Sequence, residues 1–82
     1  MRYPENLTEY ITITLTKSEL NDFIKTPEKD LIKYHFGLGM NLRNYYKLWK
    51  NTDKYSDNMI IDADEISFEF IKKTHKELQC LL

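Results

Sequence analysis

Cysteine occurs once in this 82-residue chain, at Cys80, so an internal disulfide is excluded and a zinc site built on paired thiolates is excluded with it. A lone thiol suits a reducing compartment, and its simplest reading is a small apolar residue on the last helix. Glycine and proline are scarce, two of each, and no Gly/Ser or Pro-rich linker divides the chain. The expectation is a single domain over residues 1–82. No apolar run reaches the roughly 18 residues that a membrane span requires, and no amino-terminal apolar segment resembles a secretion signal. A cytoplasmic setting without membrane contact follows as an expectation. Neither sign of charge prevails, since Lys and Arg total 12 against 13 Asp and Glu. A net charge of −1 gives no overall field to draw in nucleic acid.

Catalytic constellations are missing too. There is no His-x-x-x-His pair, His35 and His75 are far apart, and no serine or cysteine sits in a nucleophile motif. Gly37-x-Gly39 lacks the third glycine and the preceding strand of a phosphate loop. The reading is therefore of a protein that is not an enzyme, with no metal and no cofactor.

What the chain does contain is a series of helix signals. Asn6 with Glu9 has capping-box spacing ahead of Tyr10, Ile11, Ile13 and Leu15, which predicts a helix from about 5 to 14. The alternating, β-branched run Tyr10 to Leu15 competes as a half-buried strand. Thr16-Lys17-Ser18-Glu19 is a full capping box flanked by Leu15 and Leu20, and opens a helix from 17 to about 25. Thr26-Pro27-Glu28 supplies an N-cap, a proline at the first helical position and an acid in the first turn.

From there Leu31, His35, Leu38, Leu42, Tyr45 and Trp49 step by four and three, with Ile32, Phe36, Met40 and Tyr46 on an adjacent stripe. This predicts a long central helix over about 27–49. Gly37 and Gly39 each cost roughly 1 kcal/mol against alanine in such a helix, so they call for close packing of another backbone or for a kink or break. Residues 50–61 read as a polar loop ending in Met59-Ile60-Ile61, which is expected to pack in extended form. Asp62-Ala63-Asp64-Glu65 then opens a C-terminal helix over about 63–81. The sum is an all-α, four-helix domain. A chain of this size gains only about 3–5 kcal/mol from its core, which makes homodimerisation one route to added stability.

The least generic stretch is His35-Phe36-Gly37-Leu38-Gly39-Met40-Asn41-Leu42-Arg43-Asn44-Tyr45-Tyr46-Lys47-Leu48-Trp49, which holds both glycines and the only tryptophan. Arginine is rare in a lysine-rich chain whose Asn, Ile, Lys and Tyr content looks like AT-rich coding. An internal Arg43 thus hints that its planar fork is in use. On a continuous helix His35, Gly39 and Arg43 form a slanted row, with the outer two about 12 Å apart. The Gly39 notch could seat an anion held by Arg43, Asn44 and His35. Equally, the glycines could admit a crossing helix while Arg43 pairs with Asp62 or Asp64 and His35 is satisfied in the core. Tyr45, Tyr46 and Trp49 read either as core aromatics with polar tips or, with Arg43, as an interface hot spot. Lys47, Lys50 and Lys54, and Lys72, Lys73 and Lys76, form two small basic clusters of the kind that usually marks a solvated face.

The pattern His35-Phe36-x-Leu38-Gly39-x-x-x-Arg43-Asn44-x-x-x-Leu48-Trp49 resembles a family of small bacterial domains of unknown function. Pro4 with Leu7, Asp30, and the Asp62-Ala63-Asp64-Glu65 turn sit where that family's other features fall, whereas Asn41 departs from the bulkier residue expected there. The resemblance implies an all-α domain and no established activity. The leading expectation is a small protein-interaction module of immunity, inhibitor or mobile-element accessory type, binding through Arg43, Asn44, Tyr46, Lys47 and Trp49. Its rivals are an anion site at Gly39 built from His35, Arg43 and Asn44, and weak nucleic-acid contact.

Overall fold

The computed structural model describes residues 1–57 and 61–81. Helix α1 runs Leu7–Thr14 and α2 Lys17–Lys25, followed by a 3-10 helix, Glu28–Tyr34. Then come α3, Leu38–Tyr45, the short α4, Thr52–Tyr55, and α5, Ala63–Cys80. The all-α expectation holds, with six helical elements among the described residues in place of four. The run at Tyr10 to Leu15 is helical through Thr14, not a strand.

The pivot of the fold is α5. Its 18 residues rise about 27 Å, and every other element packs against it, α3 most extensively. Ile66, Ser67, Phe70, Ile71, Thr74, His75 and Leu78 are its buried residues. Their spacing leaves two adjacent rows facing inward, wide enough to receive neighbours from several sides. Asp62 starts the helix as foreseen, accepting the Glu65 N–H at 2.9 Å. The rest of the core is Leu7, Ile11, Phe23, Leu31, Leu38, Leu42, Leu48 and Tyr55.

The continuous central helix over 27–49 is corrected. Residues 28–34 wind as a 3-10 helix, the chain turns at His35–Gly37, and α3 lasts only eight residues. On the first row Leu31, Leu38 and Leu42 are buried as the periodicity requires but Tyr45 and Trp49 are exposed, and on the second stripe Ile32, Phe36 and Met40 are exposed while Tyr46 is half-buried. The break lies at Gly37, where helix formation is costly. At the far end Lys47 takes a left-handed conformation with φ 52°. The Leu48 N–H then returns to the Arg43 carbonyl at 3.0 Å, the closing bond of a Schellman turn. That turn buries Leu48 completely and leaves Trp49 off the helix and 54% exposed.

Two caps also differ from expectation. Thr16 forms its full capping box with Glu19. Asn6 precedes α1 without capping it, because its side-chain oxygen accepts the Tyr46 hydroxyl instead. Thr26 closes α2, donating to Asp22 O at 2.7 Å, and does not cap the next helix. Its carbonyl meets His75 Nε2 at 2.7 Å, and this buried imidazole also lies edge-on to Phe23. Of the apolar run at 59–61, Ile61 packs against the core, and Met59 and Ile60 lie outside the described residues.

Candidate functional site

The distinctive block folds into two layers. The inner layer is built on Arg43, which is only 6% exposed. Its guanidinium donates from Nη1 to Ser67 Oγ at 3.1 Å and from Nη2 to the His35 carbonyl at 3.2 Å. Its Nε faces Asp64 Oδ1 at 3.4 Å. Ser67 is prepared for this role, since its own hydroxyl proton goes to the Asp64 carbonyl at 2.9 Å and leaves its oxygen to accept. One planar fork thus ties the turn before α3 to the first turns of α5. A lysine, with a single point of charge, could not serve three acceptors in that arrangement.

Gly39 makes room for the fork. A Cβ placed there would stand 3.1 Å from Arg43 Nη1, 3.2 Å from the Tyr34 carbonyl oxygen and 3.8 Å from Ile71 Cδ1. The notch expected beside Gly39 is therefore filled by the chain's own guanidinium and backbone. His35 contributes its carbonyl to Arg43, while its half-buried ring lies edge-on to Phe36 with centroids 5.0 Å apart. The His35 ring and the Arg43 fork do not converge on open space.

The outer layer carries the apolar side chains that the core does not use. Phe36 is 77% exposed, Ile32 60%, Trp49 54%, Tyr45 52% and Met40 46%. Asn44 and Lys47 are exposed beside them in sequence. Tyr46 belongs to neither layer. It is half-buried and edge-on to Tyr10, Tyr45, Tyr55 and Phe70. Its hydroxyl donates to Asn6 Oδ1 at 2.8 Å, and burial followed by the neighbouring phenols pushes its pKa far above the ordinary value. Tyr46 is accordingly a fixed donor at any physiological pH.

Among the expected residues, His35, Gly39 and Arg43 come together on the inside, while Asn44, Lys47 and Trp49 remain outside. Sequence reasoning passed over Ser67 and read Asn6 only as a helix cap. The Ser67 side chain was legible only as a small polar residue one turn into α5, and the bond between Asn6 and Tyr46 joins residues 40 positions apart. In the basic clusters, Lys72 pairs with Glu69 at 2.7 Å and Lys73 with Glu77, so much of the second cluster's charge is matched internally. No group of three His, Cys, Asp or Glu residues suited to a metal occurs among the described residues. Nor is any described helix long and apolar enough to cross a membrane.

A family model described as Domain of unknown function (DUF6794) matches residues 3–78. No curated protein and no solved structure matches the chain.

Proposed function

We propose that this chain, which belongs to the DUF6794 family, is a small helical protein-interaction module. Five large apolar side chains, Ile32, Phe36, Met40, Tyr45 and Trp49, are exposed within one short stretch, and this observation carries the reading. Scattered exposed apolar residues are ordinary, but a concentration rich in aromatics is the usual make-up of an interface centre. Arg43 supports the surface from behind by fixing α3 on α5 and is not itself presented. The block from His35 to Trp49 as the family's signature, a bacterial cytoplasmic setting, and an immunity, inhibitor or accessory role complete the proposal.

The test is affinity capture with the tagged full chain, followed by the variant Phe36→Ser/Trp49→Ser. Both side chains are more than half exposed, so the fold should be unaffected. The reading expects a protein recovered by the parent chain and lost by the variant. Recovery of every partner by the folded variant would refute it.

A further inference from the structure

The outer face of α3 carries no charge. Of its eight residues only Arg43 is charged, and that side chain is buried against α5, although Asp, Glu, Lys and Arg make up 30% of the chain. Leu38, Gly39, Leu42 and Arg43 turn inward, which leaves Met40, Asn41, Asn44 and Tyr45 exposed. The nearest charges in sequence, Lys33, Lys47 and Lys50, lie beyond the helix ends, and Glu5 shares a groove with Tyr45 at the last turn. Methionine and aromatic residues in place of charge are the composition of an interface core.

The exposed residues also mirror one another. Counted outward from the midpoint of the helix, between Leu42 and Arg43, Asn41 matches Asn44 and Met40 matches Tyr45, and past the two ends Phe36 matches Trp49. A two-fold axis crossing α3 at that midpoint sets two copies of the helix antiparallel, so each residue meets the one at the mirrored position on the partner. Part of this face is ordered in advance, since Tyr45 stacks on Tyr10 with centroids 4.1 Å apart and the Tyr10 hydroxyl reaches the Asn41 carbonyl at 3.4 Å. That lowers the ordering cost of association.

We infer that the occupant of this face is a second copy of the chain, with α3 packed antiparallel on α3 across that axis. Asn41 then faces the opposing Asn44, and each amide has a donor and an acceptor to exchange. Met40 places its sulfur against the opposing Tyr45 ring, and Phe36 meets Trp49 at both ends. No charge is set near the axis, where it would confront its own copy. Only self-pairing requires such a mirrored arrangement. The exposed parts of these six side chains amount to roughly 600 Å², so the pair covers about 1,200 Å², at the lower end for a specific interface. A dissociation constant on the order of tens of micromolar follows, with monomer prevailing at low micromolar concentration. The inference rests on the interaction-module reading and names its partner.

The experiment is sedimentation of the untagged full chain from about 5 μM to about 1 mM. The mass should rise from 9.9 kDa toward twice that value. Asn44→Asp sets two carboxylates near the axis and should weaken dimerisation about tenfold, and Asn41→Lys should do the same with two ammonium groups. The combined variant Asn41→Lys/Asn44→Asp should return to within about threefold of the parent, because each introduced ammonium meets a carboxylate of the partner. Both positions are exposed, so the helix content seen by circular dichroism should not change. A chain that stays at 9.9 kDa throughout, single variants that dimerise like the parent, or a double variant no better than the singles would overturn the inference. If the parent is monomeric while capture of another protein still depends on Phe36 and Trp49, the self-pairing falls alone. Capture indifferent to both residues removes the broader reading.

Discussion

Gly39 and Arg43 are fitted to one another, since the position a Cβ would take on Gly39 lies 3.1 Å from Arg43 Nη1 and 3.2 Å from the Tyr34 carbonyl oxygen. The two glycines of the block are therefore not equivalent. Alanine at 39 would gain about 1 kcal/mol of helix propensity but must displace a buried guanidinium and a backbone carbonyl, and the carbonyl cannot yield cheaply. At Gly37 a Cβ meets nothing within 4 Å and φ is negative. Gly39→Ala should lower unfolding free energy by about 1 kcal/mol, and Gly37→Ala should change it by less than about 0.5 kcal/mol. Urea denaturation of both variants checks the contrast.

Lys47 occupies a position that glycine normally fills, the left-handed residue closing a helix. Its exposed side chain has no visible role in the turn. Lys47→Gly should relieve the left-handed penalty and stabilise the fold by about 0.5–1 kcal/mol. A thermal melt that fell instead would show that the Lys47 side chain contributes more than the strained backbone costs.

These two positions show how far the sequence could be read. Local signals held at two of the four expected N-caps: Thr16 and Asp62 cap their helices through residues only three apart, whereas Asn6 and Thr26 do not. Leu31, Leu38 and Leu42 pointed inward as their spacing required. Periodicity alone does not separate one helix from a 3-10 turn, a break and a second helix, since each can keep a leucine facing the same core. Both alternatives raised for the glycines proved real, a break at Gly37 and a close backbone approach at Gly39. The pairing of Arg43 with Asp64 was among the expected possibilities, whereas its bonds to Ser67 and His35 depended on where the break fell. Asn6 lost its capping role to Tyr46, a residue 40 positions away, and no local rule anticipates that exchange.

Stability should decline in acid partly through Glu77. Its carboxylate takes hydrogen bonds from Lys73 and Thr8, which hold its pKa below the ordinary 4.5. A depressed carboxyl contributes stability that is fully present above the unfolded value, and the contribution is lost as pH falls through the folded one. For a surface pair the effect is about 0.5 kcal/mol. Glu77→Gln should thus be less stable than the parent at pH 7 by about that amount, and the gap should close below about pH 4. A gap independent of pH would assign the difference to packing rather than charge.

The central claim is that Arg43 holds the fold while Phe36, Tyr45 and Trp49 face outward. Equilibrium urea denaturation of Arg43→Ala beside Phe36→Ser/Tyr45→Ser/Trp49→Ser tests it most directly. Arg43→Ala should lose about 2–3 kcal/mol, because it vacates a buried site and strands the His35 carbonyl and Ser67. The triple variant should lose no more than about 1 kcal/mol, chiefly from the stack of Tyr45 on Tyr10. An Arg43→Ala protein as stable as the parent, or a triple variant that unfolds, would contradict the account.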